Sequence, residues 1–165
     1  MKTCMAAFLF LLVLPTAMAL ALDSPKGPVL LTLHGKISAT NNGNTAQFDQ
    51  TMLLALPQYT VKSETPWNEG VTEFAGPLLR DVLQMAGANG DNLLMTAIND
   101  YQVTVPVSDT KDYNCILAMS IEGTLLTVRT KGPLWLIYPW DMFDELRTET
   151  YYSRSIWQLK DIDVQ

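Results

Sequence analysis

The sequence predicts an α+β fold, in a single domain whose mixed β-sheet has a few helices inserted between its strands. Many short segments are apolar or alternate between apolar and polar residues, which is typical of strands. Only two or three segments have helical periodicity, and they do not alternate strictly with the strands as a parallel βαβ series would. The chain has 165 residues, which is enough for one domain with a hydrophobic core.

Residues 1–21 have the pattern of a cleavable signal peptide. Lys2 precedes an apolar run over residues 6–14, and small residues at positions 17–21 satisfy the small-x-small cleavage rule. The apolar run is too short to anchor the chain in a membrane. We therefore expect export to the periplasm and a folded domain over residues 22–165.

The first half of the chain is predicted to hold two helices. Asp49 is a suitable N-cap for a helix over residues 50–56, which Pro57 ends. Apolar residues recur at helical spacing over residues 77–86, and Pro77 suits the first turn of that helix. Strands are predicted at residues 28–35 and 59–63.

The second half is predicted to consist mainly of strands. Glu122 and Gly123 have the composition of a hairpin turn. In the last strand, alternation places Ile156 and Ile162 on one side and Leu159 on the other. Residues 109–112 suit a loop or one helical turn, and residues 144–147 suit a polar helical segment. The predicted strands are residues 93–98, 102–106, 115–120, 124–129 and 155–164.

Residues 131–141 contain two Trp, one Tyr and two Pro, and they end in a carboxylate. Their middle, residues 134–138, is apolar on both faces, which predicts a buried strand that ends at Pro139. Trp140 and Asp141 follow that strand end, a common place for a ligand to bind. A core strand with a bulky end explains this stretch equally well.

Composition excludes several kinds of function. The formal net charge of −6 disfavours nucleic acids and anionic membrane surfaces as partners. The sequence has no Gly-rich phosphate-binding motif. His34 is the only histidine and Cys115 the only cysteine after residue 21, which rules out an internal disulfide and the multi-His and Cys-rich metal sites. Cys115 lies among apolar residues and is predicted to be a buried structural thiol.

A set of flat rings and charged groups lies near predicted strand ends and loops. Aromatic rings can stack on a planar heterocycle, a carboxylate can accept two parallel N–H bonds from an amino-pyrimidinone edge, and Arg or Lys can hold a polar or anionic tail. Core packing of the Trp residues and solvation of the charges explain the composition equally well. The candidates are Trp67, Asp100, Tyr101, Arg129, Lys131, Tyr138, Trp140 and Asp141.

Five segments together resemble the sulfite-oxidase fold, the molybdopterin-binding oxidoreductase domain. They are residues 33–35, 74–83, 99–101, 129–141 and 154–160. Enzymes of that family bind molybdenum through a Cys thiolate in the loop after the second strand. The matching loop here, residues 63–67, has no Cys, and Cys115 does not match the motif. The resemblance therefore implies the fold with a pterin ligand, without molybdenum and without catalysis.

The chain is also similar to small periplasmic pterin-binding proteins of the PruR type. In that group the liganded protein acts on the periplasmic domain of a membrane-bound cyclic-di-GMP enzyme, and so on attachment and biofilm. On this hypothesis, we expect Trp67, Tyr101, Tyr138 and Trp140 to form stacking walls. Asp100 or Asp141 would bind the amino edge of the pterin, and Arg129 and Lys131 its carbonyl oxygen or side chain. The alternatives are a periplasmic molybdopterin-dependent oxidoreductase subunit and a scaffold with a vestigial pocket.

Overall fold

The computed structural model describes residues 22–165, so the predicted signal peptide lies outside the described residues. The strands are β1 (Val29–Gly35), β2 (Ala46–Asp49), β3 (Gln58–Glu64), β4 (Val71–Pro77), β5 (Asn92–Ala97), β6 (Gln102–Pro106), β7 (Ile116–Ala118), β8 (Ser120–Ile121), β9 (Thr124–Leu125), β10 (Trp135–Ile137) and β11 (Leu159–Val164). The α-helices are α1 (Gln50–Ala55), α2 (Leu79–Met85), α3 (Val107–Asp112) and α4 (Glu149–Arg154). Two 3-10 helices cover Val128–Thr130 and Asp144–Leu146. No helix among these residues is long and apolar enough to span a membrane.

The largest sheet has five strands in the order β2-β1-β11-β5-β6. Strands β1 and β11 run parallel, while the other neighbours are antiparallel, so the predicted mixed sheet is confirmed. Leu31 and Leu33 of β1 lie two residues apart and are both fully buried on the core face. They pack in one core with Met95 of β5 and Ile162 of β11.

The remaining strands form a four-stranded sheet, β3-β4-β8-β9, and a two-stranded sheet, β10-β7. Met119 separates β7, which pairs with β10, from β8, which pairs with β4. The predicted single strand over residues 115–120 is therefore two strands in different sheets. All three residues of β10, Trp135 to Ile137, are fully buried, which confirms the buried strand predicted inside residues 131–141.

Asp49 caps α1 as predicted. Its Oδ1 accepts a hydrogen bond from the Met52 N–H at 2.9 Å, and its Oδ2 accepts from the N–H groups of Lys26 and Gly27 at 2.6 and 2.8 Å. These backbone donors, led by Met52, hold the pKa of the Asp49 carboxyl below its usual value. The Asp49 carboxylate thus fixes both the start of α1 and the segment of chain that leads into β1.

The predicted role of Pro77 is wrong. Pro77 is the last residue of β4, where it faces Gln58 of β3, and α2 begins two residues later at Leu79. A proline fits that strand end because the ring removes only one N–H donor from the ladder.

The return strand predicted over residues 124–129 is present but shorter than predicted. Strand β9 ends at Leu125, and a 3-10 helix over Val128–Thr130 follows it. The hydroxyls of Thr127 and Thr130 make a reciprocal capping box with the backbone, which stabilises the turn against an extended strand.

The last strand begins later than predicted, at Leu159, because α4 and an irregular segment occupy residues 149–158. A bulge between Leu159 and Asp161 changes the alternation of side chains. Leu159 and Ile162 are consequently both buried in the core, although strict alternation predicts opposite faces.

Candidate functional site

A cavity of about 380 Å³ opens between α4, the β5–β6 turn and the segment that precedes β11. Ligand pockets for small molecules have volumes of roughly 300–1,000 Å³, so this cavity can hold one small bicyclic ring system. Its lining combines aromatic rings with a few polar groups. The lining residues are Trp67, Ala97, Asn99, Tyr101, Glu149, Tyr152, Ser153, Ser155, Ile156 and Trp157.

Trp67 forms the inner aromatic wall of the cavity. Its ring centroid lies 5.9 Å from that of Trp157 and 6.0 Å from that of Tyr152, with both rings nearly perpendicular to it. Behind it, the buried rings of Trp135 and Trp140 lie 5.5 and 5.7 Å away. Such edge-to-face contacts are favourable, so Trp67 is held between the core and the cavity.

Two more rings keep a large part of their surface open to solvent. Tyr101 is 47% exposed and Trp157 is 38% exposed. Partly exposed flat rings at a cavity can stack on a planar ligand without any rearrangement of the core. We therefore regard Tyr101 and Trp157 as the free stacking surfaces, and Trp67 as the fixed one.

The loop between β3 and β4 places Trp67. The Trp67 N–H donates to the Thr65 hydroxyl at 3.3 Å, and the neighbouring Asn68 accepts from the Lys131 ammonium at 3.4 Å. Lys131 Nζ also lies 4.7 Å from the centroid of the Trp135 ring. Burial lowers the pKa of Lys131. Lys131 therefore supports the back of the aromatic cluster and does not line the cavity.

A buried ion pair anchors α4. Arg154 Nη1 donates to Asp109 Oδ2 at 2.9 Å, and the same oxygen accepts from the Tyr138 hydroxyl at 2.8 Å. The Arg154 guanidinium also lies over the Tyr151 ring, 5.1 Å from its centroid. Burial raises the pKa of Tyr138, so this hydroxyl remains a donor. These contacts hold the cavity-lining residues of α4 in place.

The β5–β6 turn closes towards α4 through Tyr101. The Tyr101 hydroxyl donates to the Ser153 carbonyl at 3.3 Å, and the Tyr101 N–H donates to Asn99 Oδ1 at 3.2 Å. Asp100, between them, has a left-handed backbone with φ of 65°. Its side chain is 83% exposed and binds Lys160 at 2.7 Å, so it does not line the cavity.

Two of the predicted site residues, Trp67 and Tyr101, lie together in the cavity lining. Tyr138 and Trp140 lie in the core instead, with exposures of 0% and 1%. The Trp140 Nε1 is buried without a hydrogen-bond partner among the described residues, and its ring lies behind Trp67. Arg129 is exposed in the 3-10 helix after β9 and is not part of the lining.

Asp141 joins the end of residues 131–141 to β3. Its Oδ2 accepts from the Glu64 N–H at 3.0 Å, and its own N–H donates to the Ser63 hydroxyl at 3.1 Å. Its Oδ1 binds the Arg147 guanidinium. These contacts place Asp141 in a structural junction outside the cavity lining.

The site residues that sequence reasoning missed lie mainly in residues 149–157. Glu149, Tyr152 and Ser153 belong to α4, and Trp157 follows it. The helix has only six residues, too few for an apolar stripe to be recognised. Trp157 lies in residues 154–160, one of the segments that resemble the sulfite-oxidase fold. This position was the signal in the sequence that could have identified Trp157 as a site residue.

Comparison with known proteins assigns the family. Residues 37–145, more than half of the chain, match the family described as oxidoreductase molybdopterin binding domain. The chain belongs to this family. No curated protein matches it.

The fold is that of the sulfite-oxidase-like proteins, as the sequence predicts. Among solved structures, the chain is similar to the sulfane dehydrogenase SoxCD from Paracoccus pantotrophus, with a TM-score of 0.62 and 18% sequence identity. The similarity covers 87% of this chain and 39% of that one, so this chain matches less than half of the length of the SoxCD chain.

Membership of the family indicates a pterin-type ligand, and the cavity suits the flat ring system of one. The metal-bearing form of that cofactor needs a soft thiolate ligand for molybdenum and a partner for its phosphate. Of the described residues, those that line the cavity include no Cys, Lys or Arg. Residues 22–165 also contain no group of three His, Cys, Asp or Glu able to hold a metal ion.

Cys115 does not supply the missing thiolate. It is fully buried in the core, and its Sγ faces the Asp109 carbonyl at 3.9 Å. Burial raises the pKa of the Cys115 thiol, which disfavours the thiolate that binds metals. Among the described residues, the cavity lining therefore offers aromatic surfaces to a pterin ring and includes neither a thiolate for molybdenum nor a cation for a phosphate.

Proposed function

We propose that this protein is a periplasmic pterin-binding signalling protein and not an enzyme. The observation that carries the proposal is the composition of the cavity. Trp67, Tyr101 and Trp157 supply flat apolar surfaces, while Asn99 and Glu149 supply polar atoms at its edge. The lining residues, all within the described part of the chain, include no thiol that could bind molybdenum. A metal-free pterin is the ligand that agrees with the aromatic lining, with the lack of a thiol in that lining and with membership of the molybdopterin-binding family.

Binding would act through the contact between the β5–β6 turn and α4. These two elements form opposite sides of the cavity and meet where Tyr101 donates to the Ser153 carbonyl. A ligand held between them stabilises one arrangement of both elements and so of the surface around the cavity mouth. A receptor detects the ligand only if its affinity differs between the free and bound forms.

The receptor we propose is the periplasmic domain of a membrane-bound cyclic-di-GMP enzyme, through which bound pterin would control attachment and biofilm. Support for this partner comes from the similarity to the small periplasmic pterin-binding proteins. The leader pattern of residues 1–21 supports the periplasmic location.

The test is native mass spectrometry and fluorescence of protein purified from the periplasm, combined with metal analysis. A co-purifying species with pterin emission and no molybdenum is the expected result. An empty protein is then titrated anaerobically with reduced pterins. Failure to bind any pterin in that titration contradicts the proposal.

A second candidate is a molybdopterin-dependent oxidoreductase subunit. The observation that favours it is family membership, together with the fold that this chain shares with SoxCD. Molybdenum at near-stoichiometric levels in the same metal analysis supports this candidate and excludes the first.

A further inference from the structure

We infer that Glu149 recognises the amino-pyrimidinone edge of the ligand, and that the cavity selects pterins without a phosphate group. The inference rests on the proposed function and adds the residue that determines specificity. Glu149 is the first residue of α4 and is exposed at the cavity. Within the described part of the chain, it is the one lining side chain that carries a formal charge at neutral pH.

The other carboxylates that contact α4, the β5–β6 turn or the end of residues 131–141 already have cationic partners, and none of them lines the cavity. Asp100 pairs with Lys160, Asp109 with Arg154, and Asp141 with Arg147. None of the ion pairs among residues 22–165 involves Glu149. Glu149 therefore keeps both carboxylate oxygens for a ligand.

A carboxylate is complementary to a pterin and not to its dioxo analogue. The edge of a pterin presents an amino group and a ring N–H side by side, and one carboxylate can accept both hydrogen bonds in parallel. In lumazine, a carbonyl oxygen replaces the amino group. That oxygen would face the Glu149 carboxylate with two sets of lone pairs and no proton between them. Glu149 thus discriminates between two ligands of nearly equal size.

The same charge disfavours a phosphorylated ligand. Phosphate sites in proteins are built from Arg, Lys or several backbone N–H donors. The cavity lining within the described residues has no Arg or Lys, and its one charge is negative. The chain as a whole carries a net charge of −6, which adds to the repulsion. A neutral polyhydroxyl tail at the open side of the cavity needs no cationic partner and is not repelled by the negative charge.

The experiment measures the affinities of the wild-type protein and two variants for pterin and for lumazine by calorimetry. We expect wild type to prefer pterin by about 10- to 100-fold, the range for a charge-assisted hydrogen-bonded pair. Glu149→Gln should lose this preference, because an amide presents one acceptor and one donor. Glu145→Gln also removes an exposed charge, but one outside the cavity lining, and this variant should keep the preference for pterin.

A second pair of ligands, neopterin and its monophosphate ester, tests the exclusion of phosphate. Wild type should bind neopterin more tightly, and Glu149→Gln should reduce that difference. If wild type binds pterin and Glu149→Gln retains the full preference over lumazine, the role of Glu149 is wrong while the proposed function stands. If the wild-type protein binds neither pterin nor neopterin, in oxidised or in tetrahydro form, then both the role of Glu149 and the proposed function are wrong. Thermal unfolding of the variants establishes that each is folded.

Discussion

Arg154 and Asp109 form an ion pair of 2.9 Å between α4 and α3, with the Asp109 carboxylate almost completely buried. The same carboxylate accepts the Tyr138 hydroxyl, so one acid satisfies two donors from different parts of the chain. The pair fixes the end of the helix that contributes Glu149, Tyr152 and Ser153 to the cavity lining. This contact therefore contributes both to the stability of the fold and to the position of the residues that line the cavity.

Asp109→Ala should lower the free energy of unfolding by about 3–5 kcal/mol, because it leaves the partly buried Arg154 and the Tyr138 hydroxyl without an acceptor. Chemical denaturation monitored by Trp fluorescence measures the change. The control is Asp100→Asn, since the exposed pair with Lys160 should contribute at most about 1 kcal/mol. Equal effects of the two substitutions would contradict the structural role of Asp109.

Trp157→Ala should weaken pterin binding by about 1–3 kcal/mol, the range for stacking of a heterocyclic base on an aromatic side chain. Some loss of stability is also expected, because the Trp157 ring is only 38% exposed and packs edge-on against Trp67 and Trp135. Fluorescence titration and thermal unfolding measure the two effects. Tyr59→Ala is the matched control, as Tyr59 is similarly exposed and lies outside the cavity lining. Unchanged affinity in Trp157→Ala would exclude Trp157 as a stacking surface.

Asp49 should make stability depend on pH in the acid range. Its pKa in the folded chain lies below the usual value of about 3.9, so its stabilising effect is present above that pH and disappears as the pH falls through the folded pKa. Asp49→Asn keeps a helix-capping oxygen but cannot titrate. As the pH is lowered from 6, the free energy of unfolding should therefore decrease less in the variant than in the wild type. Equal decreases in the two proteins would show that Asp49 does not contribute to the pH dependence.

Cys115 should react with thiol reagents only after the chain unfolds. The side chain is fully buried and its pKa is raised by burial, so the native protein presents neither access nor thiolate. Labelling of the purified protein with a maleimide, at increasing denaturant, should follow the unfolding transition measured by fluorescence. Fast labelling without denaturant would instead indicate an accessible thiol in the native protein.

Local signals in the sequence predicted some elements well. Asp49 is an N-cap whose partner is three residues away, and the apolar residues of β10 are adjacent in the chain. Trp67 is a candidate from the sequence because it is a flat ring in a polar loop after a predicted strand. Each of these features depends on a few neighbouring residues, so a short window of sequence contains the necessary information.

Other candidates were placed by contacts that sequence does not reveal. Tyr138 and Trp140 resemble ligand-binding rings in the sequence, but both are buried in the core. Tyr138 packs against Tyr113 and Tyr151, and Trp140 packs against Trp67. Asp100 and Asp141 looked like free carboxylates, yet each has a distant cationic or backbone partner. A polar group is available for a ligand only if no residue that is distant in the sequence already binds it in the folded protein.

The sequence by itself determined the α+β class, the buried β10 strand and the capped α1 helix, because periodicity and capping are properties of adjacent residues. Only the tertiary structure decided where the cavity lies. It brings Trp67, Tyr101 and Glu149 together from three separate parts of the chain. Their proximity results from strand pairing and from the Arg154–Asp109 contact, which joins residues 45 positions apart. Such contacts depend on the packing of the whole core, and no local pattern encodes them.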